Sequence, residues 1–161
     1  MSKVLLLIVC LVPEFSMALS TDRTQPIEVK AYTVVIDEKK GHSTYTGDAS
    51  VVQGSLSLSG EKIQIFNNKT EVTKVIAKGT KKNRAHYQQN QSNQARFIEA
   101  TAEKIVYLIK KEMMNLSGNA HLVQGFDSFS GGTLDYDIKN DKVIAEQSKD
   151  GTQRVRFKIK L

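Results

Sequence analysis

The chain alternates apolar and polar residues in short stretches that are separated by polar turns. Alternation with a period of two is typical of a β-strand with one buried face, and it is clearest in residues 62–66, 104–109 and 154–161. The turns, such as 38–41 and 139–141, are rich in Lys, Asn, Asp and Gly. No stretch keeps a 3.6-residue apolar period. The pattern therefore predicts an all-β fold of about a dozen or more short strands, arranged as two facing sheets or a partly open barrel.

The pattern also repeats at a fixed offset of 71 residues. Residues 26–31 return as 97–102, and the longer segment 45–54 returns as 116–125. Self-similarity at a fixed spacing indicates stacked structural units, each of which buries its apolar face against the next. A protein of this kind usually works through a surface or a groove rather than through a set of catalytic side chains.

Each half divides again, which gives four similar segments in which two apolar columns recur. The first column contains Val34, Ile63, Ile105 and Leu134, and the second contains Ile36, Ile65, Tyr107 and Tyr136. Because the two columns are two residues apart, they point to the same face of a sheet. An ordinary sandwich core explains any one of these residues. If the two sheets splay, the same columns line an apolar seam that could accept acyl chains.

Residues 80–94 interrupt the pattern. The segment begins with the basic residues Lys81, Lys82 and Arg84 and continues into a run of Gln and Asn. We expect a mobile surface loop here. A role for the three basic residues in binding a lipid headgroup is the alternative.

The first 18 residues predict a cleavable secretory signal peptide. Lys3 precedes an apolar run at residues 4–12, and small residues precede the expected cleavage after Ala18. The run is too short for a membrane anchor, which needs about 20 apolar residues. Its bulky residues also fit poorly with lipidation at Cys10. We therefore expect residues 19–161 to form one exported, periplasmic domain without cysteine.

The charge balance points to an anionic partner, and the sequence lacks a recognisable catalytic set. Lys and Arg number 23 against 17 Asp and Glu, a net charge of +6. Anionic lipid or glycolipid fits an exported protein, although general solubility also explains such a charge. His42, His86 and His121 have no metal-ligand spacing. We expect no catalytic residues, no metal site and no cofactor.

The terminal strands of an open stack leave unpaired edges that invite another chain. We expect the first edge to include Pro26, Ile27 and Val29, and the last, a long and regular strand, to include Val155, Phe157 and Ile159. Such edges bind partners by strand addition, and a first edge meeting a last edge propagates into a filament. The alternative is that the basic residues of the last strand prevent aggregation.

These features resemble the OstA-like family of lipopolysaccharide transport proteins. The resemblance rests on four elements: Pro26-Ile27-Glu28-Val29, the repeated Thr46-Gly47-Asp48-Ala49 and Ser117-Gly118-Asn119-Ala120, Val51 to Gly54, and Ser59 to Lys62. It implies an open, slightly twisted β-jelly roll that stacks head to tail. It also implies a bridge between an inner-membrane protein of the LptC type and the amino-terminal domain of an outer-membrane protein of the LptD type.

The resemblance further implies which side chains contact lipid. Lipopolysaccharide would hold its acyl chains inside the roll, against Ile27, Tyr107 and Ile109, and the internal repeat adds Ile36 and Ile65. An interior aromatic position of the family falls at His86 or Tyr87.

Three functions remain open at the level of sequence. The first is a non-enzymatic lipopolysaccharide carrier that helps to assemble the outer membrane. The second is a structural adaptor that joins envelope proteins by strand addition without holding lipid. The third is an envelope enzyme, for which Glu99 or His121 would have to be essential.

Overall fold

Twelve β-strands follow a short 3-10 helix in the part of the chain that the computed structural model describes, residues 21–69, 71–91 and 96–160. The expected signal peptide and Leu161 lie outside these residues. Within these ranges, no helix is long and apolar enough to cross a membrane. The elements are the helix Thr21–Thr24, β1 Glu28–Lys30, β2 Thr33–Asp37, β3 His42–Gln53, β4 Leu56–Asn67, β5 Val72–Lys78, β6 Ala85–Gln91, β7 Arg96–Ala102, β8 Lys104–Leu108, β9 Met113–Gln124, β10 Asp127–Asp137, β11 Lys142–Glu146 and β12 Arg156–Lys158.

The strand boundaries confirm the internal repeat. β2 and β8 have the same length and start 71 residues apart, and so do β3 and β9. Strands β1 to β6 therefore make one half of the molecule, and β7 to β12 make the other. The all-β prediction is confirmed in both strand number and strand type.

The strands form two facing layers that share the long strands β3, β4, β9 and β10. Every neighbouring pair is antiparallel. The first layer runs in the order β2, β3, β4, β5, β8, β9, β10, β11, and the second in the order β1, β3, β4, β6, β7, β9, β10, β12. The layers are thus joined along one side by the long strands.

The long strands pass from one layer to the other at backbone irregularities. In β3, the register with β4 shifts around Gly47 and Asp48, whose φ angles are 86° and 44°. β9 has matching angles of 79° and 48° at Gly118 and Asn119. Gly, Asp and Asn tolerate positive φ better than other residues, and such a bulge bends its strand. The repeated Gly-Asp and Gly-Asn dipeptides therefore fold each half into two layers.

The two halves are joined by strand pairing in both layers. β5 pairs with β8 in the first layer, and β6 pairs with β7 in the second. Hydrogen bonding is therefore continuous from β2 to β11 and from β1 to β12. We call these two strand pairs together the internal junction.

The expectation of a mobile loop at residues 80–94 is wrong for much of that segment. Ala85–Gln91 forms β6, which lies between β4 and β7 in the second layer. Ala85 and Tyr87 are fully buried, while the turn before them and Asn90 near the end of the strand are exposed. The strand was missed because it carries few apolar residues. Gln89, which follows Tyr87 at the strand period, is instead satisfied by hydrogen bonds.

The expectation of a long last strand is also wrong. Only Arg156–Lys158 pairs, against Ser128 to Ser130 of β10. Beyond it, Lys160 donates its backbone N–H to the side chain of Asp127 at the start of β10, but the strand ladder does not continue within the described chain. Alternation alone therefore overstated the length of β12.

Candidate functional site

Two rows of side chains cross the whole first layer, and their register confirms the shared face of the two predicted columns. Each row joins residues that are direct partners on successive strands. The first row is Val34, Tyr45, Ile63, Ala77, Ile105, Leu116, Leu134 and Ala145, and the second is Ile36, Ser43, Ile65, Val75, Tyr107, Met114, Tyr136 and Val143. Both rows are buried at the centre and exposed at the β2 edge, where Ile36 is 63% exposed.

A third row crosses the second layer and faces the other two. It consists of Val29, Val51, Leu58, Tyr87, Ala100, Leu122, Phe129 and Phe157. The members from Val51 to Leu122 are buried, whereas Phe157 at the β12 edge is 69% exposed. The interior between the layers is therefore an apolar seam that ends at both edges of the molecule.

Tyr87 is the fully buried aromatic residue of the internal junction. Its ring meets that of Tyr107 edge to face, with centroids 5.8 Å apart. Its hydroxyl donates a hydrogen bond to Oε1 of Gln89 over 2.6 Å. Burial, together with nearby Tyr107 and Tyr136, raises the pKa of Tyr87 well above its ordinary value. The side chain therefore remains neutral and ties the two layers together at the centre.

A segment before β1 packs over the tip of the second layer. Asp22 accepts hydrogen bonds from the backbone N–H and hydroxyl of Ser55, over 2.8 and 2.6 Å, and from the amide of Gln89 over 3.0 Å. Burial pulls the pKa of Asp22 upward, but these hydrogen bonds outweigh it and lower the pKa overall. Hydrogen bonds therefore connect Asp22, in the 3-10 helix before β1, through Gln89 to the hydroxyl of Tyr87.

The seam opens at the β1 and β2 edge into a cavity of about 990 Å³. This volume lies at the upper end of the range of about 300–1,000 Å³ that is common for ligand sites. Its apolar lining comprises Ile27, Val29, Ile36, Tyr45, Ile65 and Val72. Ligand sites of this type have an apolar interior with polar groups near the mouth.

The mouth of this cavity carries both signs of charge. Lys39, Lys40 and Lys69 line it together with acidic residues of the same two turns. Lys40 pairs with Asp37 of its own turn over 3.1 Å. Exposed pairs of this kind contribute little to stability. An apolar tail inside and an anionic headgroup at the rim would therefore both find partners here.

The predicted site residues fall into three environments. Ile27, Ile36 and Ile65 line the open cavity. The others lie on the inward rows or pack against the core: Val34, Ile63, Ile105, Tyr107, Ile109, Leu134 and Tyr136. The predicted edge residues Pro26, Ile27, Val155, Phe157 and Ile159 are exposed, and Val29 is half-buried.

Each edge of the molecule consists of two strands, one in each layer, and sequence reasoning identified only the strand in the second layer. Within the described residues, β2 and β11 of the first layer also have no strand paired to their outer sides. Val35 is 60% exposed on β2, and Ile144 is exposed on β11. The recurrence of Lys74-Val75-Ile76-Ala77 as Lys142-Val143-Ile144-Ala145 could have located the β11 edge from the sequence.

Among the described residues, no group of three or more His, Cys, Asp or Glu side chains is arranged to hold a metal ion. His86 lies 2.8 Å from Glu99 on the neighbouring strand, and His42 stacks on Phe66. Both histidines thus have structural contacts within the sheet.

A family model described as LptA/(LptD N-terminal domain) LPS transport protein matches residues 28–157. The chain belongs to this family. The match to the LptA/LptD amino-terminal family spans the strands of both halves, and it confirms the resemblance noted from the sequence.

Relatives of the chain in the LptA/LptD amino-terminal family include two proteins named for a lipopolysaccharide export system. The chain is 30% identical over 130 residues to the lipopolysaccharide export system protein LptH of Pseudomonas aeruginosa, covering 81% of this chain and 73% of LptH. It is 27% identical over 138 residues to the lipopolysaccharide export system protein LptA of Escherichia coli, covering 86% of this chain and 72% of that protein.

The fold also matches a solved structure. The crystal structure of LptH from Pseudomonas aeruginosa superposes with a TM-score of 0.75 at 27% sequence identity, covering 88% of this chain and 99% of LptH. That protein is described as the LptA-homologous periplasmic component of a lipopolysaccharide transport device. The jelly-roll-like architecture predicted from the sequence is thereby confirmed.

Proposed function

We propose that this chain is a non-enzymatic carrier of lipopolysaccharide in the periplasm, acting in the export of this lipid to the outer membrane. The observation that carries the proposal is the continuity of the inward apolar rows, which run from one edge of the molecule to the other. The names of LptH and LptA as lipopolysaccharide export proteins support it.

Acyl chains would lie between the two layers. The cavity at the β1 and β2 edge is their entry, and the rows led by Val34 and Ile36 are their path. The sugar and phosphate groups would remain outside, where Lys39, Lys40 and Lys69 offer positive charge at the rim. Because the interior rows are tightly packed at the centre, lipid passage requires the layers to move apart along their unjoined side.

The two edges would serve as docking surfaces for other proteins with the same architecture. We propose that β1 and β2 pair with an LptC-type protein on the inner-membrane side, and that β11 and β12 pair with the LptD-type amino-terminal domain. Further copies of this chain would pair head to tail between them. The unpaired outer sides of these four strands support strand addition at both ends.

Photo-crosslinking in cells tests the lipid site. A photoreactive phenylalanine analogue at Tyr107 should label lipopolysaccharide, because this position faces the seam. The same analogue at Val106, its neighbour on β8, should label little, since successive residues of a strand face opposite sides.

Equal labelling from both positions, or none from Tyr107 in a folded protein, would contradict the carrier proposal. In the second case, strand-mediated contacts without lipid would remain, and the chain would act as a structural adaptor.

A further inference from the structure

Each edge of the molecule is a copy of one side of the internal junction. β11 pairs with β10 in the same way that β5 pairs with β4. In the first half, Val75 of β5 is opposite Ile65. In the second half, Val143 of β11 is opposite Tyr136, which is the repeat partner of Ile65. β12 likewise copies β6, since Tyr87 is opposite Leu58 and Phe157 is opposite Phe129. On the other side, β2 copies β8 and β1 copies part of β7.

The internal junction therefore provides a template for a contact between the last edge of one molecule and the first edge of the next. In the first layer, Val75 is paired with Tyr107 at the internal junction. The repeat partners of these residues are Val143 and Ile36, which would therefore lie opposite each other between two copies. In the second layer, Tyr87 is paired with Ala100, and their repeat partners Phe157 and Val29 would likewise lie opposite each other. Both layers give one consistent alignment, because both come from the same internal junction.

Four side-chain contacts link the two halves at the internal junction. One is the ion pair of Lys110 and Glu71 in the adjoining turns, 2.7 Å apart, and the other three have counterparts between the free edges. Arg84 donates to the carbonyl oxygen of Asn119 over 2.8 Å. His86 lies 2.8 Å from Glu99. The rings of Tyr87 and Tyr107 meet edge to face.

The counterparts are chemically complementary. Arg154 takes the place of Arg84 and faces Asp48, which replaces Asn119. Arg156 takes the place of His86 and reaches Glu28 diagonally, as His86 reaches Glu99. The direct partner of Glu28 in this register is Lys158, and that of Arg156 is Lys30. Phe157, 69% exposed, takes the place of Tyr87 and faces Ile36, which is 63% exposed.

We infer that two copies of this chain join by repeating the internal junction residue for residue, with Phe157 of one copy packed between the layers against Ile36 of the next. Lys142 then lies opposite Asp37, which adds a further charge pair. The inference rests on the head-to-tail self-association proposed above and specifies its register. The occupant is a second copy because the apolar rows continue from one edge onto the other and because Glu28 then lies between the basic side chains of Arg156 and Lys158.

Cysteine pairs test the register directly, in a Cys10→Ser background that leaves the chain without other thiols. Direct partners on antiparallel strands lie about 4.5–5.5 Å apart at Cα, within the range for a disulfide. Ile36→Cys with Val143→Cys should give ladders longer than dimers on mild oxidation. Val29→Cys with Phe157→Cys should do the same in the other layer.

The matched control is Ile36→Cys with Ile144→Cys, which differs by one residue and places the two thiols on opposite faces. It should form no ladder. A ladder from this control at the level of the matched pairs, or no ladder from either matched pair, overturns the inferred register. Light scattering under reducing conditions checks that the variants associate like the parent.

Charge reversal provides a second test without cysteine. Glu28→Arg should weaken self-association about two- to five-fold, the effect of one exposed ion pair. Adding Arg156→Glu to the same chain should restore it. A double variant that associates no better than Glu28→Arg would contradict the ion pair. Lipid labelling from Tyr107 is measured separately, so a wrong register and a failed carrier proposal give different results.

Discussion

At the scale of single residues, the position of a side chain along a row decides whether it contributes to stability or to binding. Ile63 and Val34 belong to the same row, yet Ile63 is fully buried at the centre while Val34 is 49% exposed at the edge. The central residue stabilises the fold, whereas the edge residue is available to a ligand or a partner.

We therefore predict that Ile63→Ala lowers the free energy of unfolding by about 2–5 kcal/mol, because it leaves a cavity in a packed interior. Val34→Ala should cost about 1 kcal/mol or less. Urea denaturation of both variants measures the two effects. Similar losses at both positions would show that the β2 edge is packed as tightly as the core.

At the scale of elements, the bulges in β3 and β9 create the two-layer form. Gly47 and Gly118 hold φ angles of 86° and 79°, and each precedes a residue with positive φ. A Cβ at Gly47 would also meet the ring of Tyr32.

Gly47→Ala should therefore destabilise the protein by about 1–3 kcal/mol through backbone strain. Asp48→Asn is the control. It should change stability by no more than about 0.5 kcal/mol, since Asn119 already occupies the same position in the second half. Thermal unfolding followed by circular dichroism compares them. An unaffected Gly47→Ala variant would mean that the bend does not depend on this angle.

The elements also show how far sequence reasoning reached. The repeat and the period of two predicted the long strands and the inward columns, because both leave a regular trace in residue type. β6 left little trace, since its inward positions include Gln89, whose side chain accepts a hydrogen bond from Tyr87 and donates one to Asp22. The β2 edge was missed because strand order is a property of pairing and not of composition, whereas the β11 edge left a trace in the return of residues 74–77 as 142–145.

At the scale of the whole molecule, the two halves form a single hydrogen-bonded body. The internal junction joins them in both layers, and Tyr87 fills its centre. Neither half can expose its side of this junction without uncovering buried aromatic surface.

Unfolding should accordingly occur in one cooperative step. The chain has five Tyr and no Trp, so intrinsic fluorescence reports on tyrosines such as Tyr87 and Tyr107, while far-ultraviolet circular dichroism reports on all strands. The two transitions in urea should coincide. Separate midpoints would indicate that the halves unfold independently.

The eight strand segments in each layer set a fixed step length for any assembly. With neighbouring strands about 4.8 Å apart, one copy advances a continuous sheet by about 38 Å. Copies joined in the register inferred above would therefore span distances in whole multiples of that step. A gap between two membranes that falls between multiples must be met by tilt or by end partners of different length, and not by partial overlap of copies.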